Sequence, residues 1–332
     1  LRVSLSSLRY VLARTAQVLP VAFLVIVLNF ILMKTVPGDM ADVIAGEAGA
    51  ATPEFMAQLR AQFGSDQPLP SQFLSYVGKV LTLDLGWSFR HNAPVATLIA
   101  ERVPATLALM STALLLSALL GAWLGAVAGV TRWRWLDRLI SALGALGFAV
   151  PLFWLGLMAI VLFSVTLGWL PSGGMQQLGA SHQGWARAWD LARHLALPVL
   201  CLTLHYTAVY IRLMRESVRD VSQLDHVRTA RAKGASRRRL VWRHIVPNAL
   251  LPMVTMTGLQ FGALLSGSVT VETVFAWPGL GQLALSAVSA RDINLLLGIL
   301  LASALFVVLV NLFTDLLYAV LDPRIDMTGG RA

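Results

Sequence analysis

Apolar residues fall in long runs along this chain, and the polar positions gather between them. A bilayer core of roughly 30 Å takes about 20 apolar residues of helix to cross. Six runs approach or exceed that length: about Ala16 to Met33, Pro104 to Val130, Leu139 to Leu167, Leu195 to Met214, Ile245 to Val271 and Leu295 to Leu321. The pattern predicts an all-α integral membrane protein with six transmembrane helices. Two polar stretches are too long to be simple connectors. In the first, residues 34–103, Phe55, Leu59 and Phe63 recur at helical spacing after Thr52-Pro53 and predict a short amphipathic helix from Glu54 to Phe63. The second is a basic loop over residues 215–247. The expected division is an N-terminal helix with its outer segment over 1–103, then a five-helix core over 104–332 that contains the loop.

Composition agrees. Of the residues, 57% are hydrophobic and 13% charged, with mean hydropathy +0.70, whereas a soluble domain is about one quarter charged. The net charge of +9 would suit a nucleic-acid partner, but the basic residues sit beside apolar runs, where they set orientation. With a cytoplasmic N-terminus, 18 of the 26 Lys and Arg residues fall on the cytoplasmic side. The charge pattern therefore predicts both termini in the cytoplasm and no nucleic-acid partner. The first run could also be a cleaved leader, since Arg2, Arg9 and Arg14 precede it. Lys34 and Pro37-Gly38-Asp39 follow it without a small-x-small site, so a retained span is expected.

Enzymatic chemistry has little to stand on. Cys201 is the single cysteine, inside an apolar run, and no Cys/His spacing suits a metal. Gly78-Lys79 is followed by Val80, which is no phosphate-binding loop. No nucleophile–base pair or carboxylate dyad stands out. Polar groups within spans are costly and invite a functional reading. Asn29, His205, Gln260, Asn311 and Asp315 are such groups; His205, Gln260 and Ser266 are the candidates for lining a pore. Gly258, Gly262, Ser266, Gly267 and Ser268 form a small-residue face, better suited to close helix packing than to a pore wall.

The basic loop carries the most information. Ser222 and Asp225 can cap a helix, Gly234 can stop it, and a second helix with Arg237, Arg238 and Arg239 can follow. Pro247 falls in the first turn of the next span, where proline is tolerated. Charge alone would make this a loop touching anionic membrane lipid. Its length and helix–glycine–helix form suggest a docking element for a cytoplasmic partner.

That stretch resembles the signature loop of bacterial ABC importer permeases, E-A-A, three residues, G, nine residues, I-x-L-P. Arg228, Thr229 and Ala230 fill the E-A-A places, Gly234 the glycine, and His244, Val246 and Pro247 the I, L and P places. Arginine in the acidic place, within Asp225-His226-Val227-Arg228-Thr229-Ala230-Arg231-Ala232-Lys233-Gly234, resembles the dipeptide/oligopeptide/nickel branch, although His226 replaces the usual tyrosine. Pro37-Gly38-Asp39, Asp66 to Pro70, Leu170 to Gly174, then Glu272, Phe275, Pro278-Gly279 and Gly281, Arg291-Asp292 and Asp322 to Ile325 follow the same branch in order.

The resemblance implies a type I ABC importer permease fold in the bacterial inner membrane, one half of a pore and no enzyme itself. It implies a second homologous permease, two cytoplasmic ATPases that bind the ATP and Mg, and an extracytoplasmic substrate-binding protein. Asp225 and Arg228 to Gly234, with Pro247, would form the ATPase-coupling loop. Trp277, Pro278, Gly279 and Asp292 would face the binding protein, although Trp277 also suits an interfacial anchor. No cofactor is expected in this chain. Peptide is the expected cargo, with nickel or a metal chelate as the alternative. A secondary transporter or channel is the rival class, but the inverted pairs of broken helices that mark many secondary transporters are not evident.

Overall fold

The computed structural model describes residues 5–35, 52, 56, 67–88, 90–177, 179 and 183–321, without the side chains of 5–14, 263–267 and 317–321. Of the expected helix at 54–63 only Met56 is described, its N–H donating to the Thr52 carbonyl (3.0 Å); the motif residues at 37–39, 66 and 322–325 lie outside the described residues. The chain divides into two compact units.

The unit over 17–101 and 287–306 holds most of α1 (Leu5–Thr35) and α2 (Leu69–Leu81). A two-residue hairpin, β1 (Trp87–Ser88) with β2 (Ala93–Pro94), leads into α3 (Val95–Val130). Asn29 donates to the Leu297 carbonyl (3.1 Å) and accepts from the Tyr76 hydroxyl (2.8 Å). This shows how an amide is tolerated in an apolar span: both of its ends are partnered. Burial holds the Tyr76 phenol above its ordinary pKa, so it remains a donor.

The other unit covers 102–286 and 307 onward, with the start of α1. It holds most of α3, then α4 (Arg134–Ala149) and α5 (Leu152–Ala159), which continues as a π-helical stretch, Ile160–Thr166. The long α6 (Gly184–Ser222) leads to α7 (Asp225–Ala232), α8 (Arg237–Leu240), a second π turn (Val241–Ile245) and α9 (Val246–Ala249). Then come α10 (Leu251–Val274), α11 (Leu280–Ala290) and α12 (Ile293–Leu321). The last two begin or end in the other unit.

The core of this unit is built around α6. Tyr210, Met214 and Val218 recur at helical spacing and are fully buried. Glycines let neighbouring helices press onto its backbone. An ideal Cβ on Gly121 would lie 2.2 Å from Tyr210 Cβ, one on Gly125 2.7 Å from the Ile211 oxygen, and one on Gly129 2.6 Å from Val218 Cγ1. Gly147 on α4 approaches the Leu204 carbonyl in the same way. The four-residue spacing puts Gly121, Gly125 and Gly129 on one face of α3, the spacing that permits close helix contact in membranes.

The six-span expectation is corrected. Among the described residues, four helices are long and apolar enough to cross a bilayer: Thr15–Thr35, Val95–Val130, Gly184–Ser222 and Ile293–Leu316. A fifth exists if the pair Arg134–Ala149 and Leu152–Thr166, bent by 97°, counts as one span. The expected third run is broken at Pro151, which lacks an amide proton and pushes the preceding residue out of the helical region. Val150 accordingly lies at φ −75°, ψ 129°. The expected fifth run is divided around Pro247 and Pro252 into the second π turn, α9 and α10, and is not among the spans.

Candidate functional site

The helix–glycine–helix form expected for the basic loop is present. Eight residues are too few for a stable isolated helix, and α7 is held by one buried side chain, Val227, in the core beside Leu240 and Ile245. Burying a valine contributes about 1.5–3 kcal/mol. The start differs from expectation. Ser222 bonds back to the Arg219 carbonyl (2.7 Å), Leu224 takes the N-cap position without a side-chain bond, and Asp225 is the first helical residue. The end is a paired closure: Gly234 N–H donates to the Arg231 carbonyl (3.0 Å) and Ala235 N–H to the Ala230 carbonyl (3.2 Å). Gly234 sits at φ +81° to permit it.

This leaves Arg228, Thr229, Arg231 and Ala232 exposed on α7, and Lys233 exposed just after it. The Arg228–Asp225 pair, 3.5 Å apart and 67% and 96% exposed, contributes little stability. The helix is thus a small, basic, solvated knob on a fixed base. Pro247 is not part of it, lying further on in α9.

Both chain segments that flank α7 are tied to the elbow where α3 ends and α4 begins. On the incoming side, Arg215 makes a two-pronged contact with Asp137 (2.5 and 2.9 Å), and Arg219 adds a third bond (2.9 Å). On the outgoing side, Arg237 donates to the carbonyl of Val130, the last residue of α3 (2.5 Å), where a cation suits the helix dipole.

The loop after α10 is built around Glu272, which is fully buried. Its carboxylate accepts from Gly281 N–H (2.6 Å), Gln282 N–H (3.1 Å) and the Thr106 hydroxyl (2.9 Å). The Thr106 hydroxyl in turn accepts from Leu280 N–H (2.8 Å). A carboxylate from α10 and a hydroxyl from α3 therefore satisfy the first amides of α11. Trp277 is also fully buried and donates its indole N–H to the Ala105 carbonyl (2.9 Å). This corrects the expectation that Trp277 faces a partner or the membrane interface, since no part of its side chain is offered to either. Gly279 is buried and Pro278 half-buried. Asp292, in the other unit, starts α12 by accepting from Leu295 N–H (3.1 Å) and the Ser88 hydroxyl (2.5 Å).

The pore candidates lie on two helices, His205 on α6 and Gln260 and Ser266 on α10. His205 on α6 stacks on Phe148 of α4, with ring centroids 4.9 Å apart, and its Nδ1 has no partner among the described residues. Gln260 is half-buried on α10, and the Ser266 side chain lies outside the described residues. Gly258 packs on Thr314, where an ideal Cβ would come within 2.4 Å, so this glycine is a packing position.

The ties to Asp137, the pin at Glu272 and the glycine face of α3 were not anticipated from the sequence. A lone acid among Arg132, Arg134 and Arg138, and glycines four apart at 121, 125 and 129, were the available signals.

Comparison with known proteins gives a consistent result. Residues 7–110 match the family "Binding-prot-dependent transport system membrane comp, N-term". A putative peptide transport system permease protein of Brucella abortus (strain 2308) is 39% identical over 315 residues, covering 95% of this chain and 98% of that protein. The glutathione transport system permease protein GsiC of Escherichia coli O6:H1 is 42% identical over 319 residues, covering 96% and 99%. An inward-facing structure of the MetNI methionine ABC transporter shares the fold at TM-score 0.56 and 20% identity, over 68% of this chain and 96% of that one. Residues 117–327 match the family described as "Binding-protein-dependent transport system inner membrane component", and with these relatives along almost its whole length the chain belongs to that family, as a multi-pass permease subunit of an ABC importer.

Proposed function

We propose that the chain forms half of a translocation pore for peptides, paired with a second permease, and that two cytoplasmic ATPases drive it through α7. A separate binding protein would deliver the cargo from outside, and the ATPases would hold the ATP and Mg. The observation that carries this reading is the form of α7: a basic knob anchored by Val227 and closed by Gly234, with every other polar side chain on it exposed. The peptide class is supported by the names of the Brucella and Escherichia relatives. Nickel has no such support among these relatives.

Gly234 supplies the test. Nothing lies within 4 Å of an ideal Cβ there, so a large side chain projects into open space and leaves the core alone. Its backbone cost is about 1–2 kcal/mol for leaving glycine in the left-handed region. Gly234→Trp, in the assembled complex, is expected to retain ATP hydrolysis and lose uptake of labelled peptide. Gly234→Asn, which tolerates that backbone, is expected to keep both. Normal peptide uptake by Gly234→Trp refutes the docking role. Uptake of radioactive nickel but not of di- or tripeptides refutes the cargo.

A further inference from the structure

We propose that the elbow between α3 and α4, Val130 to Asp137, is where displacement of the coupling helix enters the bundle, and that Asp137 is the positioning residue that receives it. The inference rests on the reading of α7 as the ATPase-docking helix and adds the route by which its movement leaves the loop.

Covalent connection allows a push on α7 two exits, back into α6 or on through α8. Both are fastened to the same elbow. Arg215 and Arg219 lie on the last two turns of α6 and converge on one carboxylate, Asp137, in the first turn of α4. Arg237, the first residue of α8, holds the carbonyl that ends α3. Only Thr131, Arg132 and Trp133 separate the two helices at this elbow. Arg215 and Arg219 therefore hold the elbow at Asp137, and Arg237 holds it at Val130.

The contact is stiffer than an ordinary surface ion pair. The Arg215 guanidinium meets Asp137 through two parallel bonds (2.5 and 2.9 Å), and the carboxylate is only 17% exposed. Fork-to-carboxylate geometry fixes orientation as well as distance. Beneath it, Ala128 of α3, Ile140 of α4 and Ile211 of α6 form a separate buried cluster, which packs the three helices together below the elbow. Gly129 brings the α3 backbone against Val218 at the same level.

The test uses the complete complex in lipid, with its ATPases and binding protein, and reads substrate moved per ATP hydrolysed. Asp137→Asn keeps the shape and removes the charge. Arg237→Gln, on an exposed side chain, releases the other grip. Each is expected to leave the membrane level and ATP hydrolysis in place while the ratio falls about fivefold or more, the scale of coupling between linked sites. Asp137→Glu is expected to restore most of it, which a purely packing role at this position does not predict.

A ratio within about twofold of the unaltered complex for both Asp137→Asn and Arg237→Gln overturns the proposal, since the coupling expected is well above that. If Asp137→Asn fails to accumulate, Arg237→Gln alone decides. Gly234→Trp separates the two readings. Normal coupling in that variant removes the docking role and the elbow with it. Uncoupling there, with normal elbow variants, removes the elbow alone.

Discussion

Replacing Glu272 with alanine is expected to loosen the loop after α10 while the rest of the bundle holds. The carboxylate accepts two backbone N–H groups, from Gly281 and Gln282, and the Thr106 hydroxyl. Glu272 is fully buried and Gly279 packs directly on its carboxyl group, an ideal Cβ there lying 2.3 Å from Cδ, so the amides it serves are shielded from bulk water. Each buried donor left without a partner costs about 1–3 kcal/mol, so two amides together cost about 2–6 kcal/mol. Hydrogen–deuterium exchange of peptides spanning 277–285, in lipid nanodiscs, reads this as local opening. At 1.4 kcal/mol per factor of ten, exchange at Gly281 and Gln282 is expected to rise about 30-fold at the least. Glu272→Gln keeps an acceptor oxygen and is expected to show a smaller rise. Exchange in Glu272→Ala within about threefold of the unaltered protein would refute the claim that this carboxylate caps α11.

Other substitutions probe the packing. Gly125→Ala puts a carbon 2.7 Å from the Ile211 carbonyl oxygen and is expected to lower stability by about 1–3 kcal/mol, seen as a lower melting temperature in detergent. Gly78→Ala on α2 meets nothing within 4 Å and is expected to raise stability by about 0.5–1 kcal/mol, the ordinary gain for alanine inside a helix. Trp277→Phe keeps a ring but strands the Ala105 carbonyl; a loss of about 1–3 kcal/mol is expected by the same melting measurement, and an unchanged melting temperature would argue against the indole bond.

Much of this architecture was legible because single-residue chemistry sets it. Gly234 ends α7 since only a residue at ease with positive φ can form the paired closure. Asn29 announced itself as a polar group in an apolar run, and it is doubly bonded. What escaped depends on partners distant in sequence. Pro151 sits inside an apolar run that hydropathy treats as continuous, yet it turns the chain by 97°. Trp277 looked like an interfacial aromatic because composition cannot tell a rim from a core. Its burial is set by Ala105, which is 172 positions away. Arg215 and Arg219 counted only as positive charge on one side of the membrane. Their convergence on Asp137 needed α4 and α6 to be laid together first.

The seal around α6 has a practical consequence for the bench. Cys201, the sole cysteine in these 332 residues, is 1% exposed, so thiol reagents have no native target on the folded surface. A cysteine introduced at the exposed Ala232 would be the one reactive group, with no need to edit the natural thiol away. Protection of that label when the ATPases are added would map their footprint on α7 one position at a time.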